Sequence, residues 1–208
     1  MWESYKRGFK TFLQLEKSLS NNSVEAYLRD LDKLTDYLQL SETSKNPQEI
    51  EASDLQNFLQ WINELELSST SQTRIVSGIR AFYKYCLLED IVKKDPSQLI
   101  EAPKTKRSLP DVLSPEEIDA IICQIDLSKP EGERNKAILE ILYSCGLRVS
   151  EVVALRISQL HLDVGYIRVI GKGDKERLVP VGGEATKYLN IYLNHSRNKI
   201  TAVPGNED

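Results

Sequence analysis

Two short stretches carry residue types that do chemistry when brought together: Arg148-Val149-Ser150-Glu151 and Gly171-Lys172-Gly173. An arginine offers a planar fork of donors that matches two oxygens of a phosphodiester, and a helix start adds amides that favour an anion. Arg148 follows Cys145-Gly146-Leu147 and opens an apolar helical run to Leu155. It reads either as such a fork or as one half of an i,i+3 ion pair with Glu151. Lys172 reads either as a tip that reaches into a groove or as an ordinary turn lysine. In the first case, desolvation beside other cations would lower its pKa enough for it to deliver a proton. His161 and His195 have no acid or cysteine at ligand spacing and no serine partner, so a metal site or a nucleophilic triad is not indicated. The glycines around Lys172 match neither phosphate-loop fingerprint.

These residues need elements to hold them. In the first half, apolar residues recur at helical spacing in four runs. The first goes from Trp2 to Leu19 and ends at Ser20-Asn21-Asn22-Ser23. The second, Val24 to Leu38, starts behind an Asn22 or Ser23 cap, and the third, Leu55 to Leu65, behind Ser53. The fourth, Ile75 to Leu87, starts at the Ser68-Ser69-Thr70-Ser71 cluster and has a polar-basic face with Arg74, Ser77, Arg80 and Lys84. Pro96, Pro103 and Pro110 interrupt the pattern. Ser114-Pro115-Glu116-Glu117 then combines a cap, a proline at the first helical position and a capping-box glutamate ahead of Ile118, Ile121, Ile122 and Ile125. A helix from Ala137 to Tyr143 ends at Cys145-Gly146. Tyr166–Ile170 and Arg177–Val181 are rich in strand formers around Gly171–Lys175, which predicts a hairpin with lysines at its tip. A last helix follows Gly183, where Tyr188 and Tyr192 take packing positions.

At 208 residues, 40% hydrophobic and 28% charged, the chain suits two small cores. No run nears the roughly twenty apolar residues of a membrane span, and the N-terminus lacks the order of a secretory signal, so a cytoplasmic protein without membrane contact is expected. Cys86, Cys123 and Cys145 are odd in number and far apart, and are expected to be reduced core residues. A net charge of −4 argues mildly against a nucleic-acid partner. Placement qualifies that total. Between Arg74 and Arg107, eight cations, including Lys93, Lys94, Lys104 and Lys106, face only Glu89, Asp90, Asp95 and Glu101. That run is either a DNA-facing surface or a solvated helix face.

Leu142-Tyr143-Ser144-Cys145-Gly146-Leu147-Arg148-Val149-Ser150-Glu151, followed by Gly171-Lys172-Gly173-Asp174-Lys175-Glu176-Arg177-Leu178-Val179-Pro180, resembles the first half of the catalytic domain of tyrosine site-specific recombinases, the phage integrase family, of Xer type. The resemblance extends through Leu109-Pro110 and Leu113–Glu117 into a four-helix region similar to the family's core-binding domain. It implies a mainly α protein: a SAM-like helical domain over residues 1–102, a linker over 103–112, and over 113–208 a partial α/β catalytic domain with a small antiparallel sheet.

In that family a tyrosine attacks a phosphodiester, forms a 3′-phosphotyrosyl link and releases a 5′-hydroxyl without metal or nucleotide cofactor. Carried over by motif, Arg148 is the first catalytic arginine, Lys172 the hairpin lysine and Glu151 the acid that supports the site. Gln72, Arg74, Arg80, Lys84, Lys104, Lys106, Arg107, Lys175 and Arg177 are expected to touch DNA. The implied partners are a dif-like duplex, a recombinase tetramer, hetero- or homomeric, and a septal DNA translocase, in chromosome dimer resolution. The family's His-x-x-Arg element, its further His or Trp and its nucleophilic tyrosine find no match before Asp208. His195-Ser196-Arg197 has the arginine one residue too early. The chain is thus expected to bind DNA without cutting it, as a fragment of a longer enzyme. The alternatives are a cleavage-dead DNA-binding module and a helical interaction protein.

Overall fold

The computed structural model describes residues 2–43, 45–104, 109–129, 131–171 and 173–199. The chain divides into two compact units, Met1–Leu109 and Pro110–Asp208. The first unit is four helices: α1 (Trp2–Leu15), α2 (Asn21–Leu40), α3 (Ala52–Glu64) and α4 (Ser69–Leu88). Their periodic apolar residues meet in one core in which Phe9, Phe58, Phe82, Tyr83, Leu31, Leu34 and Leu55 are fully buried. Phe9 and Phe82 pack edge to face with ring centroids 5.4 Å apart, and Tyr85 lies 5.5 Å from Phe9. Each such ring contributes roughly 1.5–3 kcal/mol by leaving water.

Helix α4 starts behind Ser68, in the expected serine cluster, whereas the starts of α2 and α3 differ from the expected ones. Ser20, not Asn22 or Ser23, caps α2, with extended backbone and its Oγ accepting from the Ser23 amide. Glu51 rather than Ser53 precedes α3, because the Asp54 carboxylate reaches back to accept from the Glu51 amide at 2.8 Å. The first helix ends at Leu15 rather than running to Leu19, since Ser18 turns into the left-handed region at φ 48.

In the second unit the reciprocal bonds between Ser114 and Glu117 start α5 (Pro115–Cys123), as the sequence implies. This helix buries only Ile122, whereas Ile121 is half exposed. Cys123 is therefore exposed, which corrects its reading as a core residue; Cys86 is buried and Cys145 half-buried, and all three are free thiols. Helix α6 (Gly132–Cys145) closes on Gly146 at φ 60, and α7 (Val149–Val153) follows at once.

Strands β1 (Leu160–His161), β2 (Tyr166–Ile170) and β3 (Glu176–Pro180) form an antiparallel sheet in that order. The two-residue β1 is too short to leave a periodic signal and was not expected. Helix α8 (Gly183–Ile191) completes a small core of Ala137, Ile141, Leu147, Ile167, Val169 and Leu189, with Tyr188 and Tyr192 packed against it. The architecture is thus mainly helical with a small antiparallel sheet. Among the described residues no helix is long and apolar enough to cross a membrane.

Candidate active site

Register explains how the two motifs meet. In β2 and β3, Val169 lies opposite Arg177 and Ile167 opposite Val179. Residues opposite one another share a face, and Ile167 and Val169 are buried, so Arg177 points inward with Val179 rather than out from the hairpin. An inward guanidinium needs an acid. It finds Glu151, whose side chain is only 6% exposed, and clasps it with both terminal nitrogens, Nη1 to Oε1 at 2.9 Å and Nη2 to Oε2 at 2.8 Å.

The same carboxylate accepts from the Arg148 amide at 2.8 Å and from Arg148 Nη1 at 3.0 Å. These donors, Arg177 first and then the Arg148 amide, pull the Glu151 carboxyl down to about 2. The anion held at the start of α7 is thus Glu151 itself, and with only five residues in that helix its dipole adds little. Arg148 keeps 72% of its side chain exposed and commits Nη1 to Glu151, so much of its fork faces solvent, fixed in direction.

The glycine turn closes on this cluster. The Gly171 amide donates to the Lys175 carbonyl at 2.8 Å, and the turn passes through Gly173 (φ 75) and Asp174 (φ 55). A Cβ on Gly171 would lie 3.0 Å from Arg177 Nη1 and 3.5 Å from Glu151 Oε1, so a side chain there would push that guanidinium aside by a few tenths of an ångström. Arg148 is thus ion-paired to Glu151 and still presents donors to solvent. Lys172 lies outside the described residues, but its neighbour Gly171 adjoins the carboxylate that orients Arg148. The arrangement supplies an exposed guanidinium able to receive two phosphate oxygens.

The other singled-out residues divide. Lys84, Lys104 and Lys175 are exposed. Gln72 is buried, its Nε2 donating to the Leu67 carbonyl at 2.8 Å and to Asn63 at 3.3 Å, so it faces the helical core rather than a ligand. Arg80 donates to the Ile100 carbonyl, and Thr73 donates to the Pro103 carbonyl at 3.1 Å, which lays residues 100–103 along α4. Arg74 is half exposed and pairs with the buried Asp30, Nη2 to Oδ1 at 2.7 Å and Nη1 to Oδ2 at 3.1 Å. Lys106 and Arg107 lie outside the described residues. The sequence reading assigned Arg177 to the surface; alternation from Val179 was the available signal that it points inward.

Comparison with known proteins bears on both units. Residues 7–90 match the model of the phage integrase N-terminal SAM-like domain, and residues 111–204 match that of the phage integrase family. Over 200 residues the chain is 38% identical to the tyrosine recombinase XerD of Oceanobacillus iheyensis, covering 96% of this chain and 67% of that one. The chain belongs to the phage integrase family of tyrosine recombinases. The XerD of Listeria innocua is 40% identical over 192 residues, 92% of this chain and 65% of the relative, so the chain spans about two thirds of the length of these relatives. Among solved structures it is similar to a lambda integrase tetramer bound to a Holliday junction (TM-score 0.73, 15% identity, 93% of this chain and 56% of that chain). It is also similar to XerH bound to a palindromic difH substrate (TM-score 0.67, 22% identity, 88% and 55%). At such identities these two structures speak for the family's fold.

Proposed function

We propose that this chain serves site-specific DNA recombination of the Xer kind, as the DNA-gripping and first catalytic portion of a tyrosine recombinase. The observation that carries this reading is the Glu151 clasp, which holds an exposed Arg148 beside the turn bearing Lys172. Arg148 binds the non-bridging oxygens of the scissile phosphate and stabilises charge developing on phosphorus, a type of contribution worth roughly 10³–10⁵ in rate. A tyrosine oxygen forms the new bond to phosphorus. The 5′-oxygen leaves with a proton from Lys172, and the 3′-phosphotyrosyl link preserves the bond energy for rejoining. Glu151 orients the arginine without entering the chemistry.

Around the duplex, Lys84, Lys104, Lys106, Arg107 and Lys175 neutralise phosphates, with Arg74 contributing from its pair with Asp30. The two units correspond to a core-binding domain and the first half of a catalytic domain, acting in the cytoplasm on a dif-like site. The assembly is a tetramer with a partner recombinase, under a septal DNA translocase, in chromosome dimer resolution. Tyr188 and Tyr192 pack against the core, and no stretch matches the family's later motifs, so these 208 residues bind DNA and leave it intact.

A nicked suicide substrate tests the proposal. The protein extended through its open reading frame should trap a covalent adduct, reduced at least a hundredfold by Arg148→Ala and by Lys172→Ala, and the 208-residue chain should trap none. Duplex binding with no adduct from the extended protein would mark a DNA-binding module instead. Absence of salt-sensitive binding would mark an interaction protein.

A further inference from the structure

We infer that Arg177 is a positioning residue for the proposed reaction: held by Glu151, it sets the direction of Arg148 and the seat of the turn that carries Lys172, and does not itself hold a phosphate. The inference rests on the recombinase reading and departs from the expectation that Arg177 contacts DNA. Three features of the geometry carry it. Arg177 sits on the buried face of β3, opposite Val169, and is 38% exposed against 72% for Arg148. Both of its terminal nitrogens are aligned on Glu151, one to each oxygen, so the edge of the fork that would receive a phosphate is already filled. Gly171 leans on that same guanidinium, its would-be Cβ 3.0 Å from Nη1. The two motifs thus touch through Arg177 and Glu151.

This role demands an arginine. A lysine keeps the charge but offers a point donor, which cannot align both carboxylate oxygens at once. Loss of the fork frees Glu151 to turn, and Arg148, whose Nη1 and amide both lean on Glu151, loses its fixed direction. A direct phosphate ligand would behave differently: lysine in its place would retain the charge, the counterion release and most of the affinity.

Duplex binding by the 208-residue protein separates the two roles. The dissociation constant would be measured against salt for the wild type, Arg148→Ala, Arg177→Lys and the double variant, with circular dichroism reporting folding. Arg148→Ala should weaken binding roughly tenfold and lower the salt slope by about 0.9, one phosphate contact. Arg177→Lys should weaken binding several-fold despite the unchanged charge, yet by less than about twofold once Arg148 is already alanine, the non-additivity of residues that act as a unit.

Should Arg177→Lys unfold, Gly171→Ala pushes the same guanidinium from the turn side, and the same non-additivity is expected. Wild-type binding by Arg177→Lys, or an equal loss in both backgrounds, would overturn the positioning role while leaving the recombinase reading intact. An Arg148→Ala protein with an unaltered salt slope would remove that reading, and this inference with it.

Discussion

Each unit holds a buried carboxylate gripped by an arginine, and the two come out oppositely. Asp30 in α2 is 1% exposed, and burial pushes its carboxyl up to about 6 although Arg74 opposes the rise. Glu151 in α7 is 8% exposed, yet its carboxyl falls to about 2. Both have a two-nitrogen arginine partner, so pairing alone does not decide. Glu151 also accepts from the Arg148 amide and from the Arg148 side chain, whereas Asp30 lies against Gly78, whose would-be Cβ is 2.5 Å from Oδ2. Desolvation wins where helix packing leaves few donors, and hydrogen bonding wins where a helix start and two arginines converge. The first pair fastens α2 to α4; the second orients a group that the proposed chemistry needs ionised and fixed.

Four perturbations bear on that contrast. Gly78→Ala drives a methyl into the Asp30 side chain, with Asp30 Cβ at 2.8 Å, and should destabilise the helical unit by about 3 kcal/mol in urea unfolding. A negligible change would mean that the close packing around Asp30 is not tight. Next in size is the pH dependence of Asp30. Its folded pKa is raised, so the ionised group opposes folding above about pH 6, and that penalty is relieved as pH falls through 6 towards 3.8. Relative to Asp30→Asn, the wild type should gain up to about 3 kcal/mol across that window. The only tryptophans, Trp2 and Trp61, both lie in the first unit, so their fluorescence reports it alone.

Glu151 has the opposite sign. Its folded pKa is depressed, so its stabilisation is complete above about 4.5 and lost as pH falls towards 2. Amide exchange at Ile167 and Val169 should show that loss in the wild type and not in Glu151→Gln. The smallest effect belongs to the exposed Lys84: alanine there should lower the salt slope of duplex binding by about 0.9 without changing stability, and an unchanged slope would take α4 off the DNA.

The same contrast shows what the sequence could reveal. The Ser114–Glu117 capping box is local, so four adjacent residues sufficed to place α5. The starts of α2 and α3 were misplaced by two or three residues because several polar residues stand in line at each, and the one whose backbone is extended takes the cap. Arg148, Glu151 and the glycine turn were legible as types and spacing. Their junction was not, because it depends on the pairing of Val169 with Arg177, a fact of register between strands. Gln72 and Arg80 looked like surface donors because a helical wheel has no knowledge of Leu67 or Ile100 folding back to receive them.

Neutralising single phosphates tests the convergence of the two motifs most directly. A high-affinity duplex would carry one methylphosphonate at a time and be titrated with the wild type, Arg148→Ala and Lys172→Ala. One phosphate should emerge whose neutralisation weakens the wild type but neither variant, and it should be the same phosphate for both. Two different positions, or none, would contradict the account.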